Sequence, residues 1–252
     1  MAGWEGLWYL IGTIVLGMTV VAAVIYFSER ISKEHATILI AGTLSGVVSI
    51  ASVMSSAKFN MLALGGVTFV VAGGSMFWAT ISLGQDYLNE IYGPKTARSS
   101  VYAGFLGWLA GTIMMVWLLN YVPTPPDMLN LTEQAKSVLG SVARINMAAF
   151  VSYLLCSWTN IWVFDRMKKA TQGKTGFYLW LRSVTSTAAA QLIDSVFFVT
   201  LAFAGTLPNS VLINIVIANL IVKWSTSAVE IFWLQPLVNN KRKNESDLTL
   251  AT

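Results

Sequence analysis

"RSVTSTAAAQLIDSVFFVTLAF", Arg182 to Phe203, is long and apolar enough to cross a bilayer, whose hydrocarbon core takes about 20 residues of helix. Ser183, Thr187, Gln191 and Asp194 follow one another at spacings of four, four and three, so on a helix they form one polar stripe. Hydroxyls alone would be ordinary glue between helices. Asp194 is different, because an ionisable residue at the middle of a span costs on the order of 2.5 to 3.5 kcal/mol, and those that persist face a partner or a cavity. The stretch therefore reads as a membrane helix that turns one face toward a polar interior.

The rest of the chain agrees. Of 252 residues, 55% are hydrophobic and 11% charged, where a soluble domain carries about 25% charged residues. Sixteen Lys and Arg against twelve Asp and Glu give a net charge of +4. The basic residues cluster between apolar runs, which reports orientation in a membrane and not binding to nucleic acid. A single cysteine, Cys156, and a single histidine, His35, leave no intrachain disulfide and no thiolate or imidazole metal site. No Walker loop, Ser-His-Asp set or metal-ligand spacing appears, and the loops are too short for a catalytic domain, so neither an enzyme nor a cofactor is expected.

Seven candidate spans follow from the apolar runs: 7–27, 36–56, 61–83, 101–121, 147–164, 184–204 and 211–234. The expected fold is an all-α polytopic membrane bundle forming a single domain over residues 1–252. It would have a six-helix core at 36–238, an additional N-terminal helix and a flexible tail at 239–252. "MAGWEGLWYL" lacks a basic region, so the first run reads as a retained helix and not a cleaved signal. "SERISKEH", "YGPKTARSS", "FDRMKKATQGKTGFYLWLR" and "NNKRKNESD" hold nearly all the Lys and Arg and alternate with poorer loops. That alternation places the N-terminus outside and the C-terminus in the cytoplasm. In the long fourth connection, Pro123, Pro125 and Pro126 mark a turn, and "LTEQAKSVLGSVARI" reads as a helix lying on the surface. Ser157, Asn160 and Phe164 are spaced as Gln191, Asp194 and Phe198 are, an internal echo of the kind from which transporters are built.

Other expensive residues stand near the ends or middles of spans. In "SLGQDYLNEIYGP" (82–94), Asp86 and Glu90 are four apart and share a helix face. Two like charges there need a ligand, a proton, or Lys95 and Arg98 reaching back from the next turns. The alternative is a wet helix end stopped by Gly93-Pro94. Upstream, Gly65-Gly66 and Gly73-Gly74 would allow close helix packing or a break in the span. In the last span Asn219, Lys223, Ser227 and Glu230 share a face, and Lys223 needs a counter-charge from Asp194 or Glu230. Lys58, at the end of the second span, can snorkel to the surface. Lys58, Arg98, Lys223 and Glu230 are thus candidates for charge balance or coupling, and Asp86, Glu90, Asn160, Gln191 and Asp194 for solute binding.

Carboxylates with amide and hydroxyl neighbours suit a neutral, planar, donor-rich solute such as a guanine-like edge. Two other readings stay open on the residues alone: a substrate-binding subunit of an ATP-driven vitamin importer, and a membrane scaffold whose polar stripes only hold helices together.

"DYLNEIYGPKTAR", then "WLRSVTSTAAAQLIDSVFFVTLAF" and a span with a central lysine, together resemble the YhhQ-type queuosine-precursor transporters, also called the vitamin uptake transporter family. The resemblance runs from about Lys58 to Pro236. It implies a multi-pass inner-membrane importer, commonly of six spans, for 7-cyano-7-deazaguanine or its aminomethyl relative, with proton coupling and a homodimeric assembly left open. Carried over by position, the acidic motif falls on Asp86, Glu90, Gly93 and Arg98. The sixth-span motif falls on Arg182, Ser186, Gln191 and Asp194, and the lysine on Lys223. Ser157 and Asn160 depart from the Gln and Asp frequent in the family.

Overall fold

The computed structural model describes residues 5–32, 35–57, 59–64, 67–72, 74–140 and 143–250. Helix α1 (Glu5–Ile31) and α2 (Ala36–Ala57) lead into a hairpin of β1 (Phe59–Leu64) and β2 (Val67–Ala72). Then come α3 (Ser75–Tyr92), α4 (Pro94–Tyr121), a single 3-10 turn at Pro126–Met128, and α5 (Leu129–Gly140). Helices α6 (Ala143–Ala170), α7 (Phe177–Phe203), α8 (Asn209–Val229) and α9 (Ile231–Leu250) complete the bundle.

Hydrocarbon offers no partner to a backbone N-H or C=O, so spanning segments satisfy those groups internally as helices. Six described stretches are long and apolar enough to span: Ile11–Ile31, Ala36–Met54, Pro94–Tyr121, Met147–Ala170, Phe177–Phe203 and Asn209–Asp247, the last covering α8 and α9. Their outward faces are apolar. Ile113, Met114 and Trp117 on α4, and Val196 and Phe197 on α7, are exposed where lipid would lie. The all-α membrane bundle expected from composition is present.

The third expected span is corrected. Residues 61–83 are not one helix, because the first part pairs as an antiparallel hairpin in the register Phe59↔Ala72 to Leu64↔Val67, and helix begins only at Ser75. Val67, Thr68, Val70 and Val71 favour strand over helix, and Gly65-Gly66 between the strands is a two-residue hairpin sequence. Inter-strand bonds satisfy the inner edges, while β1 lies beside α1 and β2 beside α8. Non-helical backbone at membrane depth is tolerated where protein covers it in this way.

Helix α3 occupies the centre and touches α1, α2, α4, α6, α8 and α9. Every residue from Thr80 to Glu90 is buried. It ends at Gly93, whose φ of +86° turns the chain into Pro94 at the start of α4. Close approach of its neighbours depends on small residues. A Cβ added to Gly84 would stand 2.6 Å from Leu44 Cδ2 on α2, and one on Gly104 of α4 would stand 2.6 Å from Tyr153 Oη on α6.

The expected surface helix is α5, which packs on α2 and α4 and ends at Gly140, so the later part of that stretch already belongs to α6. The stretch expected as a flexible tail continues α9 as helix to Leu250, and in it Lys241 pairs with the half-buried Glu29 of α1 and Arg242 with the buried Glu90 of α3. Overpacking a tight helix contact costs about 1 to 3 kcal/mol. Gly84→Val and Gly104→Val should each lower the thermal unfolding midpoint of the detergent-purified protein, whereas Gly111→Val, where an added Cβ meets nothing within 4 Å, should not.

Candidate functional site

Three helices each turn the same four-position face toward one point. Trp78, Ile81, Ser82 and Gln85 come from α3; Tyr153, Cys156, Ser157 and Asn160 from α6; Thr187, Ala190, Gln191 and Asp194 from α7. Each set is spaced i, i+3, i+4, i+7, the stripe that one side of a helix presents. The polar positions of the internal echo, Ser157 with Asn160 and Gln191 with Asp194, thus meet in one cavity. Its free interior is about 30 Å³, room for a water or two and not for a ring system.

Hydrogen bonds fix most of the lining. Gln85 Nε2 donates to Ser157 Oγ at 3.1 Å. Asn160 Nδ2 donates to Asp86 Oδ1 at 2.8 Å, and Thr187 Oγ1 donates to Asn160 Oδ1 at 3.3 Å, so this amide is oriented from both sides. Asp194 forms an ion pair with Lys223, which settles which carboxylate answers that lysine. One acceptor is left over. Gln191 Oε1 is buried and accepts no hydrogen bond among the described residues. The apolar wall is aromatic: the Trp78 and Tyr153 rings lie 5.5 Å apart at 47°, with Trp108 behind Trp78 at 5.7 Å. The site therefore combines flat apolar surface with a carboxylate, three amides and hydroxyls.

Glu90 does something else. One turn beyond Asp86, its Oε2 meets Arg182 at 2.7 Å and its Oε1 meets Arg242 at 2.6 Å, while Lys168 stands 3.7 Å from Oε2 and also donates to the Glu90 carbonyl. Arg182 and Glu90 are both buried, and Lys174 O accepts from Arg182 at 2.7 Å. This charge cluster joins α3, α6, α7 and α9 at the basic end of the bundle and lies outside the cavity lining. A second cluster stands beside it, where Glu29 of α1 accepts from Tyr87 at 2.9 Å, Tyr92 at 2.6 Å and Lys241 at 2.6 Å.

Asn160, Gln191 and Asp194 line the cavity, and Asp86 sits directly behind Asn160. Glu90 is placed in the charge cluster, and its cations are Arg182, Arg242 and Lys168 in place of Lys95 and Arg98. Arg98 instead borders an open groove with Tyr102, Trp158, Thr159 and Trp162. Glu230 accepts from Ser82 at 2.9 Å and does not pair with Lys223. Lys58 lies outside the described residues. Sequence reasoning passed over Ser82 and Gln85, whose spacing from Asn89 on the face of Asp86 was the available signal. It also passed over Arg242, hidden in a stretch read as tail.

The comparisons with known proteins bear on this arrangement. The model of the family described as "Putative vitamin uptake transporter" matches residues 72–237, which take in α3 with its buried carboxylates, the cavity lining, and Glu90 with Lys168 and Arg182, but stop short of Arg242. The chain belongs to this family. A vitamin uptake transporter of this kind is a multi-pass plasma-membrane transporter and not an enzyme. A relative from Bacillus subtilis (strain 168) named "Probable queuosine precursor transporter" is 28% identical over 159 residues, covering 63% of this chain and 67% of its own length. No solved structure matches.

Removing one partner of a buried ion pair costs about 3 to 5 kcal/mol, because the other charge is left uncompensated. Glu90→Ala strands Arg182 and should sharply lower both the unfolding midpoint and the amount of protein in the membrane. Arg98→Ala should leave both unchanged.

Proposed function

We propose that the chain imports a 7-deazaguanine base, 7-cyano-7-deazaguanine or its aminomethyl relative, as a secondary transporter. The observation that carries the reading is the unused acceptor Gln191 Oε1 beside Asp194 in a cavity walled by Trp78 and Tyr153. A guanine-type edge presents adjacent N-H donors, which a carboxylate and an amide oxygen accept side by side. Its flat face suits the aromatic wall. The name of the Bacillus relative supports this choice of solute among the small molecules a vitamin uptake transporter could carry.

Asp194 and Gln191 read the donor edge in this account, Asn160 takes an acceptor or donor of the ring, and Lys223 balances the charge of Asp194. Asp86 acts through Asn160. Glu90 acts as a lock at the basic end, which the excess of Lys and Arg assigns to the cytoplasm, leaving the N-terminus outside. Because the cavity holds little free volume, entry of the base requires its three lining helices to move apart.

Purified chain in liposomes without ATP or any partner should accumulate labelled 7-cyano-7-deazaguanine; a requirement for an ATPase module would overturn the secondary mechanism. Asp194→Asn should abolish uptake with folded protein still in the membrane. Gln191→Ala removes one hydrogen bond, worth about 0.5 to 1.5 kcal/mol, and should weaken binding by roughly three- to tenfold. Undiminished affinity in both variants would remove this face of α7 from the site.

A further inference from the structure

Among the described residues, Asp86 and Glu230 are the interior carboxylates that no lysine or arginine pairs with. Glu90 holds Arg182 and Arg242, Asp194 holds Lys223, and Glu29 holds Lys241. Asp86 and Glu230 are both fully buried, at 0% exposure. Glu230 sits in the break between α8 and α9, and its Oε2 accepts from Ser82 Oγ at 2.9 Å. Ser82 stands one turn before Asp86 on the same face of α3, so its bond to Glu230 sets the two acids at neighbouring levels of that face, within range of each other's charge. On the far side Asp86 Oδ1 is held by Asn160, and the Ser183 hydroxyl is beside it. One oxygen on each acid, Asp86 Oδ2 and Glu230 Oε1, has no hydrogen-bond partner among the described residues.

The charged groups around the pair are already engaged. Glu90 on α3 and Arg182 on α7 bind each other, Lys168 of α6 and Arg242 of α9 are drawn to Glu90, and Lys223 of α8 is drawn to Asp194. Two ionised carboxylates left within range of each other in low dielectric cost several kcal/mol each, and an orphaned acceptor adds to that. A metal ion is a poor answer. Hard cations take about six or more oxygens, and no group of three or more Asp, Glu, His or Cys able to hold a metal occurs among the described residues. One proton on either acid removes the like-charge repulsion.

We propose that Asp86 and Glu230 form a charge-coupled pair that holds one proton, on one acid or the other, and that this pair is the site where a proton is taken up and released during transport. The inference rests on the transporter reading above and adds to it the carrier of the coupling ion. The link to the cavity is Asn160, whose amide touches both Asp86 and the lining. A solute that draws on Asn160 weakens its donation to Asp86, which makes the charged pair costlier and the proton more tightly held. Solute and proton therefore bind each other's state more strongly, and by linkage solute affinity rises as pH falls through the titration of the pair. The proton comes from water when the site faces outward and returns to water at the basic end.

The test is infrared spectroscopy of the full chain in lipid nanodiscs, reading the C=O stretch of protonated carboxyls across pH, in wild type, Asp86→Asn, Glu230→Gln and the double variant. A protonated-carboxyl absorption is expected near neutral pH in wild type. It should vanish on alkaline titration, be absent from the double variant, and strengthen on adding 7-cyano-7-deazaguanine. Identical spectra for wild type and double variant overturn the proposal, as does a wild-type spectrum without the absorption. The alkaline titration needs no variant, so it stands even if one fails to fold. Proteoliposomes holding a pH-sensitive dye add a second reading, in which uptake of the base should acidify the lumen. Wild-type uptake without acidification overturns the coupling role. If the base is not taken up at all but the carboxyl absorption behaves as expected, the solute assignment fails and the proton pair remains.

Discussion

Eleven consecutive residues of α3, Thr80 to Glu90, are buried, and six of them are polar. A helix polar on this scale lies at the centre of a membrane protein only if its neighbours supply a partner for nearly every group, because lipid supplies none. The surrounding helices are arranged to do so. Ser157 and Asn160 on α6 answer Gln85 and Asp86, the Ile161 carbonyl accepts from Asn89 at 3.1 Å, and Arg182 on α7 answers Glu90. The polar stripes on α6 and α7 are complements to α3.

That dependence divides the bundle into three levels along α3. Near its start the aromatic residues and the open-sided polar groups make a cavity. At the middle Asp86, Asn160, Ser82 and Glu230 form a hydrogen-bonded layer. At its end Glu90 gathers cations from three other helices. A shift of α3 is felt at all three levels together, because one helix contributes to the cavity, to the Asp86 layer and to the Glu90 cluster.

The sequence was informative where the cost of burial leaves few choices. A mid-span Asp194 and a mid-span Lys223 have little to do in lipid except find each other, and they do. Apolar runs gave the six long spans, and the i, i+3, i+4 spacings gave the faces that meet. What it hid falls into two kinds. Residues 59–72 have the apolarity of a span, and only their β-branched content and paired glycines told of strand; hydrocarbon length alone does not discriminate between the two. The partners of Glu90 were sought in the next turns, at Lys95 and Arg98, whereas Arg242 arrives from 152 residues away. Long-range pairing of this sort has no local signature, and the polar composition of "NNKRKNESD" imitates a solvated tail.

The pairing of Glu29 with Lys241 has a consequence for how the protein is made. The two are 212 residues apart, and at the usual 5 to 20 residues per second the ribosome reaches the lysine roughly 10 to 40 s after the glutamate. During that interval α1 is in the membrane with its acid unmatched, and Glu90 waits for Arg242 in the same way. This end of the bundle therefore closes only when α9 docks, as a late assembly step. A nascent chain interrupted before α9 is left with both acids lacking these partners, a defect by which membrane quality control can tell an unfinished copy from a finished one.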